Sequence, residues 1–331
     1  MLSLISAKET TFENLEVADC TRTAVAIISA THHDGNDIDP VQKEAGQLTV
    51  TFSDVYFRNN TASHQKTSAG AISAGKDVNV RISRCRFREN RGSQGGAVYF
   101  AGVSLLVGDS SFRKNSARNG GGAIFANSSR DGDPSEPRLS IARSNFSMNQ
   151  ALGNESCQHL YEQPVNRQDS LSIPCPAGGA IYASNWDSIS IEDSLFSDNI
   201  AVATGGAMQS HRNRGLTIER CQFISNAVRQ PSWSGPASLQ RGGALSVFKD
   251  RDGSSTAVKE SAFVRNKAEH GGALHFVGHQ GVSLRVTQCR FRHNRATSEG
   301  GAIVLRDVVT STIEGSSFVN NSASDGGALF L

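Results

Sequence analysis

The sequence predicts an all-β protein, a single-stranded parallel β-helix of nine to ten coils. Three observations support this fold class. A motif recurs every 25 to 30 residues where nothing is inserted, short segments alternate apolar and polar residues, and glycine pairs separate them. No segment keeps a 3.6-residue apolar period long enough to predict a helix. A fixed period of this size is typical of proteins built from stacked repeats.

The recurring motif is Phe-x-x-Asn, usually followed by Gly-Gly-Ala and an apolar residue. The motif occurs at Phe57/Asn60, Phe87/Asn90, Phe112/Asn115, Phe146/Asn149, Phe196/Asn199, Phe223/Asn226, Phe263/Asn266, Phe291/Asn294 and Phe318/Asn321. The glycine pairs begin at Gly95, Gly121, Gly178, Gly205, Gly242, Gly271, Gly300 and Gly326. The first repeat has Ala69 and Gly70 instead. These positions are the predicted structural residues of each coil.

Each coil is predicted to contain three short strands, as the repeat around Phe196 illustrates. Ile189 and Ile191 alternate with polar residues, which predicts a strand with one buried face. Ser194 and Phe196 form a second short alternating segment, and Met208 begins a third. A leucine-rich repeat is the competing solenoid, but it needs a Leu-x-x-Leu-x-Leu pattern that the chain lacks.

The motif residues also predict the corners and the core of the coil. Each Asn is expected at a corner with left-handed backbone geometry, with its amide stacked on the amides of neighbouring coils. The glycine pairs are expected to provide positive φ angles and room for close approach between coils. The Phe side chains are expected to stack in one internal column.

The residue three positions before each Phe tests the stacking order. Acid and base alternate at this position over seven coils, in the order Asp54, Arg84, Asp109, Arg143, Asp193, Arg220 and Glu260. Neighbouring coils of a parallel stack would bring these side chains together, and each pair of opposite charges would stabilise the stack by about 0.2–1 kcal/mol. The alternation therefore predicts ion pairs between coils, and a mixed-charge solvated face is the alternative.

Residues 1–331 are predicted to form one repeat domain, since no linker divides the chain. Residues 1–46 resemble a degenerate first coil plus an insertion, and residues 47–331 contain the nine repeats. The last coil has no polar cap, so we expect the chain to be part of a longer protein. Insertions interrupt the period at 31–46, 127–137, 152–177 and 227–241. Insertions of this kind often mark the binding face of a solenoid.

The composition limits the classes of function. Thirty-three basic and thirty-one acidic residues give a formal charge of +2, which argues against a globally basic nucleic-acid-binding protein. No run of eighteen apolar residues predicts a transmembrane segment. Lys8 and Glu9 follow the first apolar residues directly, so the start of the chain lacks a signal-peptide pattern.

Two of the six cysteines, Cys157 and Cys175, bracket the longest insertion and are predicted to form a disulfide. Cys85, Cys221 and Cys289 stand where other coils have Ser, and are expected to be small buried side chains. The cysteine pair and five Asn-x-Ser/Thr sequons favour an extracytoplasmic setting. No metal site and no cofactor are predicted, because the densest polar cluster, residues 32–39, lacks the spacing of a calcium-binding loop.

No catalytic residues are predicted. Enzymes that cleave polysaccharides on a β-helix need clustered carboxylates, or basic residues beside a bound cation. Neither grouping stands out in the sequence, and Ser and His residues are scattered.

The first candidate binding feature is a basic stripe. Arg58, Arg88 and Arg113 follow Phe in three successive coils and are predicted to point outward. Stacked like charges repel each other unless an anion lies between them, so the stripe is a candidate site for an anionic glycan or lipopolysaccharide. Partial neutralisation by Glu89 is the alternative.

The second candidate binding feature is an aromatic column. Tyr99, Phe125 and Tyr182 each lie two residues after the alanine of Gly-Gly-Ala and are predicted to point outward. An exposed ladder of rings could stack on sugars or contact a partner. The alternative is that an insertion or a flanking domain covers it.

Two repeats illustrate a resemblance to a known family. Phe112 and Asn115 precede Gly-Gly-Ala-Ile, and Phe318 and Asn321 precede Gly-Gly-Ala-Leu, which resembles the repeat of the chlamydial polymorphic membrane proteins. The resemblance covers residues from about 50 to 331. It implies a right-handed, pectin-lyase-like β-helix, the passenger of an autotransporter, displayed on the outer membrane or cell surface and used in adhesion. The family has no catalytic residues to transfer.

We therefore expect a surface-exposed or secreted, adhesin-like β-helix that is not an enzyme and binds a cell-surface glycan or protein receptor. Nucleic acid is not an expected partner. Two alternatives stay open, a carbohydrate-active β-helix enzyme of the polysaccharide lyase or hydrolase type, and a structural spacer in a large repeat protein. Convergence of acids from different coils would favour the enzyme, and burial of the outward columns would favour the spacer.

Overall fold

A computed structural model of the chain confirms the predicted architecture. It describes residues 2–4, 9–27, 48–62, 68–128, 137–153, 177–229, 240–248, 253–278, 281–308 and 310–331. Within these ranges the structure is all-β, and its strands form four long parallel sheets that stack coil on coil as a parallel β-helix. The described residues contain no helical segment with the length and apolar character of a membrane span.

We name the four sheets A to D. Sheet A contains Leu2–Leu4, Val25–Ile27, Ile72–Ala74, Val98–Phe100, Ile124–Asn127, Ile181–Ser184, Met208–His211, Leu245–Phe248, Leu274–Val277, Ile303–Arg306 and Leu329–Phe330. Sheet B contains Glu9–Glu13, Leu48–Ser53, Val78–Ser83, Ser104–Gly108, Arg138–Ala142, Ser188–Glu192, Gly215–Glu219, Ser255–Lys259, Ser283–Thr287 and Thr310–Glu314. Sheet C contains Glu16–Ala18, Tyr56–Arg58, Arg86–Arg88, Ser111–Arg113, Asn145–Ser147, Leu195–Ser197, Gln222–Ile224, Ala262–Val264, Arg290–Arg292 and Ser317–Val319. Sheet D contains Arg91–Gly92, Ser116–Ala117, Gln150–Ala151, Ile200–Ala201, Ala227–Val228, Lys267–His270 and Arg295–Glu299.

Ten strands in sheets B and C correspond to ten coils, within the predicted range. The prediction of three strands per coil is incomplete, because most coils also contribute a strand to sheet D. In the Phe196 repeat this extra strand is Ile200–Ala201, directly after the motif Asn. Two residues are too few to show an alternating pattern, so the sequence gives no signal for this strand.

The motif Phe residues form the predicted internal column. Between Phe57 and Phe318, neighbouring rings are parallel to within 8°, and their centroids lie 4.5–4.9 Å apart. The rings are fully buried up to Phe291, and Phe318 is half-buried on the last coil. The ring spacing matches the spacing of strands in a sheet, so stacking of the rings and pairing of the backbones reinforce each other.

The motif Asn residues form an amide ladder through the wall of the β-helix. Asn199 Nδ2 donates to Asn226 Oδ1 at 2.9 Å and to the Phe146 carbonyl of the preceding coil at 2.8 Å. Asn199 Oδ1 in turn accepts both the side-chain and the backbone N–H of Asn149, at 3.0 Å each. The predicted stacking of the amides is therefore confirmed. Equivalent amide-to-amide bonds link Asn60 to Asn90, Asn90 to Asn115, Asn115 to Asn149, Asn226 to Asn266, Asn266 to Asn294 and Asn294 to Asn321.

The prediction that the motif Asn adopts left-handed geometry is wrong in all nine repeats. The left-handed residue is the one before it, such as Met148 (φ 57°), Asp198 (φ 56°) or Arg265 (φ 56°). The turn is complete before the Asn, because the Asn side chain has to lie in the wall to bond the coils on both sides. The correction applies to Asn60, Asn90, Asn115, Asn149, Asn199, Asn226, Asn266, Asn294 and Asn321, none of which has a positive φ angle.

A second left-handed corner lies between sheets B and C. It coincides with the alternating charged column, for example at Asp109 (φ 50°) and Arg143 (φ 47°). Residue type did not reveal either corner, because the chain places ordinary side chains in a conformation that usually favours Gly or Asn.

The two glycines of each pair have different roles. Gly178 has φ 67°, the positive angle expected at the corner. Gly179 has no such angle, but a Cβ atom there would lie 2.0 Å from the Gly206 carbonyl oxygen of the next coil. The first glycine therefore makes the turn and the second allows the coils to approach, as the sequence predicts.

The alternating charged column forms ion pairs between coils. Arg84 lies 2.7 Å from Asp54, Arg143 lies 2.7 Å from Asp109, and Arg220 lies 2.8 Å from Asp193. The hydrogen bonds from these guanidinium groups hold the pKa of each aspartate below its ordinary value. Each base thus pairs with the acid of the preceding coil, and the predicted stacking order is confirmed.

Candidate binding surface

The basic stripe lies on the outer face of sheet C. Arg58 pairs in register with Arg88, and Arg88 with Arg113, so the three side chains follow one column. The alternation of a short strand places Phe inside and both of its neighbours outside. Arg88 and Arg113 are exposed and Arg58 is half-exposed, so the outward orientation is as predicted.

The stripe is not uniformly charged. Arg58 lies 2.6 Å from Glu16 and 3.3 Å from Asp19, so two acids of the first coil neutralise it. Arg88 lies 3.3 Å from Glu89, the contact that the sequence offered as an alternative. Arg113 forms no ion pair within the described residues. Positive charge is therefore concentrated in the second and third motif coils.

We define the N-terminal basic patch as the five exposed bases that directly flank the motif Phe and Asn residues of these two coils. Glu89 is the acid that forms ion pairs with them in the described structure, 3.3 Å from Arg88 and 3.7 Å from Lys114. The patch contains four guanidinium groups and one ammonium group against this one neighbouring carboxylate, so it is electropositive. Its members are Arg86, Arg88, Arg91, Arg113 and Lys114.

The aromatic column is buried, and the prediction of an exposed ladder is wrong. Phe125 and Tyr182 are only 4% and 6% exposed, and Tyr99 is half-buried beside them. The rings do stack, with centroids 5.7 Å apart for Tyr99 and Phe125, and 4.7 Å apart for Phe125 and Tyr182. Burial raises the pKa of Tyr182 to about 12. The rings stabilise the fold and do not present a surface to sugars.

The chain itself covers these rings. The residues just before each glycine pair form a row of parallel bridges, in which Gly120 pairs with Ala177 and Ala177 with Thr204. Ala177 packs against Phe125 and Tyr182 in a small apolar cluster separate from the main core. At Gly120 and Ala177 this row lies against the rings on the outer face of sheet A. We name the row the covering layer; it consists of Gly120, Ala177, Thr204, Arg241, His270 and Glu299. The sequence predicted that these side chains point away from the interior, but strand alternation does not show what lies outside a sheet.

The covered column becomes polar in the later coils. His275 occupies the same column and is 1% exposed, and its Nδ1 atom has no hydrogen-bond partner within the described structure. Burial, together with the nearby Arg241, His270 and Arg306, holds the pKa of His275 well below its ordinary value. His275 is therefore neutral at physiological pH.

Two carboxylates from neighbouring coils converge on one histidine in the covering layer. His270 Nδ1 lies 2.9 Å from Glu299, and His270 Nε2 lies 3.8 Å from Glu269. Arg306 also contacts Glu299. Burial opposes ionisation of Glu299, but Arg306 and His270 together hold its pKa below the ordinary value. The sequence did not predict this convergence, because the residues before Gly-Gly follow no pattern from coil to coil.

A second electropositive surface, which we name the C-terminal basic patch, lies on the coils of Phe263 and Phe291. All its side chains are exposed, and none forms an ion pair within the described residues. A residue-by-residue comparison of the positions that flank Phe and Asn would have revealed it, since Arg292 occupies the same column as Arg88. The patch consists of Arg265, Lys267, Arg290, Arg292, His293 and Arg295.

The motif Asn residues of the patch coils are not part of either binding surface. Asn90 lies between Arg88 and Arg91 in the chain, yet its side chain is fully buried. Asn266 and Asn294 hold the same position in the coils of the C-terminal basic patch and are also fully buried. Their amides are used by the ladder, so their role is structural, as the sequence predicts.

The cysteines within the described residues provide no candidate site. Cys85, Cys221 and Cys289 are buried free thiols, as predicted. Burial raises the pKa of Cys221 to about 11 and opposes ionisation of the other two. Cys157 and Cys175 lie outside the described residues, so their disulfide stays a prediction, as does the character of residues 32–39.

Within the described ranges no three His, Cys, Asp or Glu residues are grouped to hold a metal ion.

Comparison with known proteins supports the type of repeat. A family model described as the Chlamydia polymorphic membrane protein repeat matches residues 109–127. This segment is one coil, from the corner before Phe112 to the end of the following strand of sheet A. No curated protein and no solved structure gives a significant match to the chain. The resemblance predicted from the motif is therefore confirmed for the repeat of this coil.

Proposed function

We propose that the chain is a non-catalytic β-helix of a surface-exposed or secreted protein, and that it binds an anionic cell-surface glycan. The observation that supports this function is the register of Arg88 and Arg113, which are exposed in one column within an electropositive patch. Guanidinium groups match carboxylate and sulfate oxygens in geometry and charge. A surface location is inferred from the repeat type.

The exposed side chains favour one chemical class of glycan for the proposed binding. None of the large apolar residues that are exposed on the described surface is aromatic, and the candidate rings are buried. Stacking on neutral sugars is therefore not supported, and attraction depends on charge. We expect a charge-dense ligand, such as a sulfated or uronic polysaccharide, and binding that weakens as salt screens the contacts.

Binding of a sulfated polysaccharide to immobilised protein tests this proposal. The double variant Arg88→Ser/Arg113→Ser should bind about tenfold more weakly, from two exposed contacts of roughly 0.7 kcal/mol each. Arg58→Ser should have little effect, because Glu16 and Asp19 already neutralise Arg58. Arg81→Ser/Arg285→Ser on the outer face of sheet B is the matched control and should bind like the parent. Equal binding by the Arg88/Arg113 variant would contradict the proposal.

A carbohydrate-active enzyme is the second candidate, and one observation favours it. Glu269 and Glu299 come from successive coils and converge on His270, and acids from different coils are what glycoside cleavage would require. Release of short oligosaccharides from uronic or neutral polysaccharides by purified protein, lost in Glu299→Gln, would establish this function. No release, together with charge-dependent binding, would support the binding protein. Failure of both experiments would favour a spacer.

A further inference from the structure

The C-terminal basic patch carries more unbalanced charge than its surroundings. Lys267 pairs in register with Arg295, so two like charges face each other across neighbouring strands. Like charges at directly opposed positions destabilise a sheet. No acid among the described residues pairs with any base of the patch. By contrast, the corner arginines of the same β-helix, such as Arg143, are paired with acids of the preceding coil.

The two basic patches lie on the same outer face, formed by sheets C and D. Parallel registers connect Phe112 through Phe146, Phe196 and Phe223 to Phe263, so the face is continuous. The centres of the two patches are five coils apart, or about 24 Å at ~4.8 Å per coil. At the positions corresponding to the patch residues, the three intervening coils carry one charged residue, Asp198. The face is thus basic at two places and nearly neutral between them.

We infer that the C-terminal basic patch is a second binding site for a linear polyanion, and that one extended chain occupies both patches at once. The inference rests on the proposed function, since it assigns the same ligand class to both sites. Once a long chain is bound at the first patch, its binding to the second patch is intramolecular. The overall affinity therefore rises although the kinds of contact stay the same. A polyanion between Lys267 and Arg295 would also relieve their repulsion.

A polysaccharide fits this face better than a single-stranded nucleic acid. Proteins that bind single strands place bases on exposed aromatic side chains. Sheet C presents guanidinium groups, small polar residues and aliphatic residues to solvent on these coils, and its Phe rings point inward. Sulfate or carboxylate groups on a sugar chain need only the basic side chains.

The test compares a long sulfated polysaccharide with a short sulfated oligosaccharide that can cover only one patch. Four Ser substitutions remove most of the positive charge of each patch, at Arg86, Arg88, Arg113 and Lys114 in one variant and at Arg265, Lys267, Arg292 and Arg295 in the other. The control replaces Arg81, Arg138, Lys259 and Arg285 on the outer face of sheet B. All three variants change the formal charge from +2 to −2, which separates site effects from net charge.

Either patch variant should lose about a hundredfold in affinity for the long chain, but only about twofold for the short one, since one of two independent sites remains. The control should bind both ligands within about twofold of the parent at the same ionic strength. The melting temperature of the C-terminal patch variant should equal or exceed that of the parent, because repulsion between its bases is removed.

Three results would overturn the inference. The first is that the C-terminal patch variant binds the long chain as tightly as the parent does. The second is that both patch variants lose only about twofold in affinity for the long chain, and the third is that single-stranded DNA binds more tightly than the polysaccharide. If the proposed function itself is wrong, the result is distinguishable from these three, because the parent protein would then bind neither the long nor the short sulfated ligand.

Discussion

At the residue scale, the motif Asn explains why the repeat tolerates so little change at this position. Its side chain is fully buried, and its donors and acceptor are all used by neighbouring coils. A buried polar group left without a partner costs about 1–3 kcal/mol, and removal of one amide leaves several such groups. The ladder therefore makes each coil depend on the next.

Asn199→Ala tests this dependence. The substitution removes the acceptor of the two Asn149 N–H groups and the side-chain donor to the Phe146 carbonyl, and Asn226 Oδ1 keeps only the Asn199 backbone N–H. We therefore expect a loss of about 3 kcal/mol in the free energy of unfolding. Asn145→Ala, at an exposed position on sheet C, is the control and should change stability by less than about 0.5 kcal/mol. Urea unfolding measures both. Equal stability of the two variants would show that the amide ladder is dispensable.

The sequence predicts the positions at which the same side chain recurs in every coil, but not the positions at which only the backbone conformation recurs. The Phe and Asn columns were predictable because the same residue type recurs in every coil. The left-handed corner at Glu89, Met148 and Arg265 was not, because these residues share a φ angle but no chemistry. In a stack of coils, the hydrogen bonds of the neighbours impose this conformation, and its cost of roughly 1–2 kcal/mol is offset elsewhere.

At the element scale, the second glycine of each pair before the last sets the distance between coils at the corner that enters sheet A. Gly179→Ala would place a Cβ atom 2.0 Å from the Gly206 carbonyl oxygen and 2.6 Å from the Ile200 carbonyl carbon. Both contacts are with backbone, so the coils would have to separate, and we expect a loss of about 3 kcal/mol or more.

Gly215→Ala is the matched control for this substitution. Gly215 has no left-handed φ angle, and its nearest neighbour, the Asp187 carbonyl oxygen, lies 3.3 Å from the added carbon. We expect a change within about 1 kcal/mol. Thermal unfolding followed by circular dichroism compares the two variants. Similar melting temperatures would contradict the role assigned to the glycine pair.

The ion pairs between sheets B and C predict a loss of stability in acid. Hydrogen bonds from Arg143 and Arg220 lower the pKa values of Asp109 and Asp193 in the folded state. A lowered folded-state pKa contributes stability that is present above the ordinary carboxyl pKa and is lost as the pH falls through the lowered value. We therefore expect the melting temperature to hold at neutral pH and to decline below about pH 4.

The double variant Asp109→Asn/Asp193→Asn isolates this effect. It should melt below the parent at neutral pH and show a smaller decline in acid, because two of the titrating groups are absent. Asp198→Asn, on an exposed residue with no ion pair in the described structure, should keep the pH profile of the parent. Identical profiles of the double variant and the parent would show that the pairs do not stabilise the fold.

The covering layer marks the limit of what the strand pattern predicts. The alternation correctly placed Tyr99, Phe125 and Tyr182 away from the main core, but their environment depends on the turn before Gly-Gly. That turn has a different sequence in every coil, so neither the burial of the rings nor the Glu269–His270–Glu299 cluster was predictable. The basic columns were predictable because nothing in the described coils folds over sheet C.

At the scale of the whole molecule, the distribution of charge matters more than its total. The formal charge is only +2, yet one face of sheets C and D carries two basic patches while the bases at the corner between sheets B and C are paired with acids. Such an arrangement attracts a polyanion to one face, because the two patches hold ten formally charged bases and the remaining residues are therefore net acidic. Because the aromatic column is buried, it does not support glycan binding, and the proposal depends on the exposed arginines.

A crystal structure of the full chain with a sulfated oligosaccharide bound tests the central claim most directly. We expect density for the sugar on the outer face of sheet C, with sulfate groups within hydrogen-bonding distance of Arg88 and Arg113. We also expect the sugar to be intact. A ligand bound instead beside Glu269, His270 and Glu299, or a cleaved product at that place, would contradict the proposed function and establish the enzyme in place of the binding protein.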